Sequence, residues 1–236
     1  VVRQSGDTAF INLLNQIRLG KCPSEVTQSL EACHVSRKPL PVDGIVPTKL
    51  YCTNRNVDEE NNRNLAKLPA REMVFVATDI MKGGYSRDVA KNLVQAMDKK
   101  TPSEIRLKVG AQVILTRNMP QNNLVNGSRG VVVAFEQCNA EKKVYPVVQF
   151  TNGVRMTVRD ENVFQGAAAG AMTRSQLPLK LAWSLTVHKS QGMTIERAEL
   201  QLDDAFDYGQ VYVALSRVTS LEGLWLCGGK ITQAVV

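Results

Sequence analysis

The sequence has few of the features that mark several large classes of protein. No apolar run approaches the ~20 residues that a membrane-spanning helix needs, so we expect no membrane partner. The five cysteines are an odd number, and no two of them are separated by only two residues. This spacing excludes a zinc ribbon and argues against a disulfide framework, so we expect reduced thiols in an intracellular protein.

Two small groups of reactive side chains lack the partners that a metal site or a hydrolase site would need. Cys22, Cys33 and His34 lie close together in sequence, but a fourth ligand at a suitable spacing is missing, so we expect no metal. Ser190 and His188 have neither a partner carboxylate nor a GxSxG motif, which argues against a serine hydrolase.

What the sequence does have is a basic excess and enough apolar residues for a core. Lysine and arginine number 29 against 22 acidic residues, which gives a formal net charge of +7. Hydrophobic residues make up 44% of the 236 positions, enough for one large domain or two smaller ones. The charge is compatible with a polyanionic partner such as nucleic acid but does not require one.

The first 70 residues have the pattern of an α/β domain. Asp7 is a good N-cap for the helix that follows, and Gly20 is a suitable stop. Apolar residues recur at i, i+3, i+4 and i+7 in this helix, at Phe10, Leu13, Leu14 and Ile17. We predict further helices over about 24–33 and 58–68, with a strand at 48–52 between them.

The middle of the chain, about 71–175, changes to a period of two. A polar segment between Gly84 and Lys100 is predicted to be helical or mobile, and short strands follow it. Asn-Gly pairs at 126–127 and 152–153 are typical of tight turns between strands. We therefore predict a small β-barrel, followed by a linker formed by the sequence GAAAGA.

The last segment, 176–236, returns to alternating strands and helices. The predicted order is strand or turn (178–187), loop (188–194), strand (197–202), helix (208–218) and strand (223–227). This alternation is typical of a parallel sheet with helices on its faces. The predicted fold is an α/β domain formed by 1–70 and 176–236, interrupted by a β-rich insert at 71–175.

The predicted helix at 208–218 carries a polar stripe beside an apolar one. The polar stripe, Gln210, Ala214 and Arg217, could lie along a large anion. The alternative is an arginine at the edge of the core that pairs with Asp203 or Asp204. The apolar stripe, expected to pack on the sheet, consists of Val211, Leu215 and Val218.

A second polar stretch, LTVHKSQGMT, directly follows a predicted strand. Ligands bind at the carboxyl ends of strands in open α/β sheets, so a site is expected at this loop. His188 and Lys189 in the loop are donors suited to phosphate groups.

Six segments together resemble the petite-integration-frequency (Pif1) family of DNA helicases, which are superfamily-one, RecD-like motors. They are RQSGDTAFINLLNQIRLG, TNRNVDEENN, LKVGAQVILTRN, LVNGSRGVVVAF, LAWSLTVHKSQGMT and GQVYVALSR. The resemblance runs in order from residue 1 to about 227 and covers the C-terminal half of such a motor. It implies a RecA-like second motor domain that carries a Src-homology-three-like barrel insert.

The resemblance also implies roles for particular residues. Arg3 and Arg217 match the arginines of motifs IV and VI, which in the family reach the γ-phosphate of ATP, so they are the expected catalytic residues. Gln210, Gln191 and Gly192 are expected to support the nucleotide site. The expected DNA contacts are Thr186, His188, Lys189 and Ser190 of motif V, together with Asn54, Asn61, Asn118, Asn126 and Arg129.

Some of these DNA contacts have alternatives. Asn61 falls on the apolar face of its helix, between Val57 and Leu65, where a buried structural asparagine is the alternative. The insert's basic residues could line a groove for a DNA strand or form a solvated face; they are Arg106, Lys108, Arg117 and Arg129. With aromatic residues at only 6%, phosphate contacts should dominate over base stacking.

The sequence departs from a complete motor in one respect. It contains no GxxxxGK[ST] cradle for a triphosphate and no Walker B carboxylates. The nearest look-alike, which begins at Gly223, has the wrong spacing and ends at Ile231, which has no hydroxyl for magnesium. We therefore expect ATP and magnesium to be held mainly by an N-terminal RecA-like domain of the same parent chain, and this polypeptide to be inactive alone.

The predicted function is the C-terminal part of an ATP-dependent 5′-to-3′ DNA helicase that acts on single-stranded or forked DNA. The alternatives are a stand-alone module that binds single-stranded nucleic acid, and the helicase part of a mobile element. The resemblance implies a place in the nucleus or mitochondrion of a eukaryotic cell, and roles in DNA repair, recombination and telomere maintenance.

Overall fold

The computed structural model describes residues 4, 6–52, 57–83, 86–167, 170–201 and 209–229. The helices are α1 (Thr8–Arg18), α2 (Ser24–Ala32), α3 (Val57–Lys67), α4 (Arg87–Lys100) and α5 (Gln210–Leu215). The strands are β1 (Thr48–Tyr51), β2 (Met73–Val76), β3 (Thr78–Lys82), β4 (Glu104–Leu107), β5 (Gln112–Leu115), β6 (Arg129–Cys138), β7 (Lys143–Phe150), β8 (Arg155–Thr157), β9 (Glu161–Ala167), β10 (Gly170–Gln176), β11 (Leu179–Leu181), β12 (Ser184–Thr186), β13 (Ala198–Gln201) and β14 (Leu224–Cys227).

A four-stranded parallel sheet joins the two ends of the chain, in the order β12-β1-β13-β14. Strand β1 comes from the first part of the chain and lies between two strands of the last part. Lys49 pairs with Ser184 on one side and with Glu199 on the other. The predicted parallel α/β sheet, built from both ends of the chain, is confirmed.

Helix α1 shows how the local sequence prepares the core of this α/β part. The Asp7 carboxylate accepts a hydrogen bond from the Phe10 amide at 2.9 Å, which satisfies a donor that the helix leaves unpaired. The inward-facing residues are those predicted, Phe10, Leu13, Leu14 and Ile17, and all four are buried. They pack in one cluster with the apolar stripe predicted for the last helix, of which Val211 and Leu215 lie in α5 and Val218 follows it.

The insert contains a five-stranded antiparallel sheet in the order β11-β5-β6-β7-β8. The predicted turn between β7 and β8 is present, with Gly153 at φ +86° and the Asn152 side chain accepting from the Val154 amide at 3.1 Å. Among the residues that the structure describes, the sheet ends at β8 and β11, and the Src-homology-three-like barrel stays a prediction. Strand β11 belongs to this sheet although it lies after residue 175, the predicted end of the insert. The limits of the domains therefore also stay predictions.

The predicted linker GAAAGA is wrong. Its two ends belong to β9 and β10, which pair in antiparallel register, with Ala171 opposite Gly166. Small side chains are common in linkers, but here Gly166 and Ala171 are paired residues of a three-stranded sheet, β3-β10-β9. Residues 168 and 169, between the two strands, lie outside the described part of the chain.

The polar segment before Lys100 is the helix α4, which begins after Ser86, whose side chain accepts from the Val89 amide at 3.4 Å. Of the two predicted states, helical is therefore the one observed. Leu93 and Met97 of α4 pack on Met172 of β10. No helix of the described residues is long and apolar enough to cross a membrane.

Candidate functional site

Two sequence stretches that lie far apart in the chain are held together at one end of the α/β part. Gln4 is buried, and its amide group donates to the carbonyl oxygens of Ser216 at 3.2 Å and Val218 at 2.7 Å, 212 and 214 positions away. These two carbonyls lie on either side of Arg217. Asp7 adds a second contact, because its carboxylate accepts from the Leu221 amide at 3.1 Å.

Arg217 lies in the turn that follows the short helix α5. Its Nε donates to the Val213 carbonyl at 3.2 Å, and its side chain is half-buried. Gln210 is the first residue of α5 and is also half-buried. The predicted stripe is wrong in one detail: Ala214, between these two residues, is fully buried together with Val211 and Leu215. The helix itself spans only Gln210–Leu215.

The loop after β12 lies at the carboxyl end of the parallel sheet, where a ligand site was expected. The Ser190 hydroxyl donates to the Val187 carbonyl at 2.7 Å, and the Thr186 hydroxyl accepts from the Lys189 amide at 3.1 Å. Both hydroxyl groups are buried, so they shape the turn from inside. The exposed residues of the loop are His188, Lys189, Gln191 and Gly192, the last with φ +81°.

The end of this loop is bonded to the Arg217 segment. The Ile195 amide donates to the Arg217 carbonyl at 2.8 Å, and Ile195 forms a parallel bridge with Val218. Hydrogen bonds thus join Gln4 and Asp7, the end of the loop at Ile195 and the segment 216–221. Arg3 and Asn54, which were also predicted for the site, lie outside the described residues, as do Asp203 and Asp204.

Asn61 lies inside the protein, whereas Lys189 lies on its surface. Asn61 is buried, and its side chain donates to the Ser184 carbonyl and accepts from the Ser184 amide, both at 3.0 Å. This favours the structural alternative for Asn61. Lys189 is exposed and forms a surface ion pair with Asp58 at 3.4 Å.

The insert's polar residues also divide into exposed and buried groups. Asn118 is exposed, and its side chain accepts from the Asn126 amide at 2.7 Å, while the Asn126 carbonyl accepts from the Thr194 amide at 2.9 Å. The exposed arginines are paired, Arg106 with Glu104 at 2.7 Å and Arg117 with Glu161 at 3.1 Å. Lys108, half-buried, donates to the Leu68 carbonyl at 3.1 Å.

The prediction that Arg129 contacts DNA is wrong. Its side chain has 0% exposure, and its guanidinium donates to the carbonyls of Ala182 and Val46 and to the Gln112 side chain at 3.3 Å. Burial lowers the pKa of Arg129 to about 9, and nearby Arg197 acts in the same direction. The group is still charged at neutral pH, but it is directed into the protein rather than at a strand on the surface.

Known proteins resemble this chain in sequence and in structure. A family model described as the 2B domain of DNA helicase Pif1 matches residues 97–135. The ATP-dependent DNA helicase PIF1 of Xenopus laevis is 41% identical over 227 residues, which is 94% of this chain and 34% of that protein. The crystal structure of Pif1 helicase from Candida albicans matches with 32% identity and a TM-score of 0.69, over 99% of this chain and 56% of that one.

A second similar structure comes from work on DNA unwinding at forked dsDNA by two coordinating Pif1 helicases. It is 27% identical, with a TM-score of 0.53, over 99% of this chain and 50% of that one. The sequence and structural matches agree along almost the whole chain. The chain belongs to the Pif1 family. It spans about a third of the length of the curated Pif1 relatives that it matches.

The match to the Pif1 2B domain falls on the insert, from the end of α4 to the middle of β6. Three bonded residues of this Pif1-family chain were not among the predicted site residues. Gln4 and Ile195 join the three stretches, and Thr194 joins the loop to the insert. Gln4 follows Arg3 in the segment RQSGD, and this neighbouring position is the one feature of the sequence that could have pointed to it. Thr194 acts through its backbone amide, so its side-chain type carries no signal at all.

Proposed function

We propose that this chain is the second RecA-like motor region, the C-terminal part, of an ATP-dependent 5′-to-3′ DNA helicase. The observation that carries the proposal is the bonding of Gln4 to the carbonyls on either side of Arg217. These bonds hold Gln4, the neighbour of Arg3 in the sequence, against the segment that contains Arg217. This is expected if both arginines bind the same nucleotide. The Pif1 relatives are called ATP-dependent DNA helicases, which supports the same reaction for the parent protein.

In this proposal Arg3 and Arg217 approach the γ-phosphate of an ATP molecule held by another domain. An arginine remains charged and can bind two phosphate oxygens with its planar fork. Phosphoryl transfer depends mainly on positioning and on neutralising negative charge, so such arginines can raise the rate by about 10³–10⁵. Gln210, Gln191 and Gly192 would support the same nucleotide site.

The triphosphate and magnesium would be held mainly by an N-terminal RecA-like domain, because this chain has no GxxxxGK[ST] sequence. Magnesium would supply charge neutralisation at the phosphates when bound. The chain alone is therefore expected not to hydrolyse ATP. Arginines that arrive from a second domain link hydrolysis to domain closure, which is how such motors move along a strand.

The DNA side of the proposal concerns the exposed loop residues His188, Lys189 and Gln191. They are donors available to phosphates, whereas the buried Thr186 and Ser190 hold the loop in shape. Single-stranded or forked DNA is the proposed partner. Work on DNA in the nucleus or mitochondrion of a eukaryotic host, and roles in repair, recombination and telomere maintenance, stay predictions from the family.

The test is the substitution Arg217→Ala in the full-length protein. We expect ATP hydrolysis to fall by about 10³-fold or more, because a charge that stabilises the transition state is lost. The dissociation constant for single-stranded DNA should change less than about twofold, since the arginine faces the nucleotide. Arg3→Ala should behave in the same way.

The matched control is Arg37→Ala, which removes an exposed arginine that pairs with Glu31 at 3.5 Å. It should leave both activities unchanged, because exposed pairs contribute little. If Arg217→Ala instead weakens DNA binding and ATP hydrolysis by the same factor, or lowers neither, the proposed role of Arg217 is wrong.

A further inference from the structure

A turn of the insert lies directly against the loop of the candidate site. We call residues 125–128, between β5 and β6, the junction turn. It is closed by two hydrogen bonds, from the Ser128 amide to the Val125 carbonyl at 2.9 Å and from the Val125 amide to the Ser128 hydroxyl at 3.0 Å. The Gly127 amide also donates to the Leu115 carbonyl of β5 at 2.8 Å, so the turn is fixed to the insert's sheet.

The junction turn contacts the α/β part through backbone atoms. The Thr194 amide donates to the Asn126 carbonyl at 2.9 Å. Gly127 has φ +106°, and a Cβ atom there would lie 2.2 Å from the Thr194 carbonyl oxygen and 2.7 Å from its nitrogen. Only glycine allows both this backbone conformation and this close approach.

The same short segment is bonded to the proposed arginine finger. Thr194 donates to the junction turn, and the next amide, that of Ile195, donates to the Arg217 carbonyl at 2.8 Å. Two consecutive amides therefore connect the insert on one side with the Arg217 backbone on the other. A displacement of the turn relative to the α/β part must move this segment or break one of the two bonds.

We propose that the junction turn couples DNA binding to ATP hydrolysis, and that Gly127 is the positioning residue of this coupling. DNA that draws the insert and the exposed loop together changes the place of Thr194, and Ile195 transmits that change to Arg217. The inference rests on the proposed function, because it concerns the stimulation of ATP hydrolysis by DNA. It is argued from the continuous path of hydrogen bonds that joins the junction turn to the Arg217 backbone, because such networks can carry coupling between sites.

The chain offers a matched pair of glycines for the test. Gly153 is the second residue of the other Asn-Gly turn and also has a positive φ, +86°, but a Cβ atom there would meet nothing within 4 Å. Gly127→Ala and Gly153→Ala therefore impose a similar backbone penalty, and only the first disturbs the junction. The measurement is the ATPase rate of the full-length protein with saturating single-stranded DNA, divided by the rate without DNA.

We expect Gly127→Ala to lower this ratio about tenfold, within the range of about 5- to 150-fold that couplings between sites usually span. The rate without DNA and the dissociation constant for single-stranded DNA should change less than about twofold. Gly153→Ala should keep the ratio. A merely structural role for Gly127 would lower all three quantities together.

A second variant keeps the test decisive if Gly127→Ala does not fold. Ser128→Ala removes the hydroxyl that accepts from the Val125 amide, without adding an atom at the contact with Thr194. It should lower the same ratio in the same direction. If both variants fold and keep the ratio, or if Gly153→Ala lowers it as much, the coupling is refuted. If the unaltered protein shows no DNA-stimulated ATPase, the proposed function itself fails.

Discussion

Arg129 is the residue whose environment differs most from its sequence-based prediction. It lies at the first position of β6, yet its guanidinium reaches the carbonyls of Val46, just before β1, and of Ala182, just before β12. It therefore bonds the insert to the segments that lead into two of the four parallel strands, β1 and β12. Its Nε has no hydrogen-bond partner among the described residues, and Glu196 acts on it only through space.

We expect Arg129→Met to destabilise the protein by about 3 kcal/mol. The replacement fills much of the same space but leaves the Val46 carbonyl without its side-chain donor, and the Ala182 carbonyl keeps only the Thr48 hydroxyl at 3.1 Å. An unsatisfied buried group costs about 1–3 kcal/mol. Chemical denaturation gives the free energy of unfolding that checks this value. Arg106→Met is the control: Arg106 is 58% exposed in its side chain, so its loss should cost less than about 0.5 kcal/mol. Equal effects of the two changes would refute the structural role.

At the scale of elements, α3 protects the edge of the parallel sheet. Strand β12 is an outer strand of that sheet, and an outer strand leaves one row of backbone groups unpaired. Asn61 of α3 satisfies the amide and the carbonyl of Ser184, and the Ser184 hydroxyl donates back to the Val57 carbonyl at 3.2 Å. The helix and the strand are thus joined by three hydrogen bonds near the candidate site.

We expect Asn61→Ala to lower the free energy of unfolding by about 3 kcal/mol, because both Ser184 backbone groups lose their partner. Asn61→Asp should be similar, since a carboxylate cannot donate to the Ser184 carbonyl. Asn62→Ala, at an exposed position of the same helix, should have little effect. The check is denaturation of the purified variants; a normal stability for Asn61→Ala with a selective loss of DNA binding would favour the DNA-contact interpretation.

The elements also show what the sequence could and could not predict. Period and capping residues identified α1, the parallel strands and the turn at Gly153, because these depend on neighbours in sequence. Short strands were predicted in the insert, but not that one of them, β5, is buried on both faces, with Ile114 in the α/β core and Val113 in the core of the insert. Contacts made by backbone groups, such as those of Thr194, leave no pattern of side chains to recognise.

For the whole molecule, the net charge of +7 matters less than where the exposed charges lie. Many exposed cations are already paired, as Arg106 and Arg117 are, and Arg129 is buried. Lys189 is also paired, but its side chain and that of Asp58 are 57% and 75% exposed, so DNA can replace the pair at little cost. The proposed strand path should therefore depend on a few placed donors rather than on a general basic surface.

We expect Lys189→Ala to weaken single-stranded DNA binding and to make its salt dependence shallower. Each lysine–phosphate contact contributes about −0.7 to the slope of log affinity against log salt, so the slope should change by about that amount. Lys143→Ala removes the same charge from an exposed lysine of the insert, which pairs with Asp160 at 2.9 Å. Its slope should equal that of the unaltered protein, because a change in net charge alone removes no phosphate contact. Equal changes in the two slopes would show that the protein binds DNA by diffuse charge, without a strand path over the loop of Lys189.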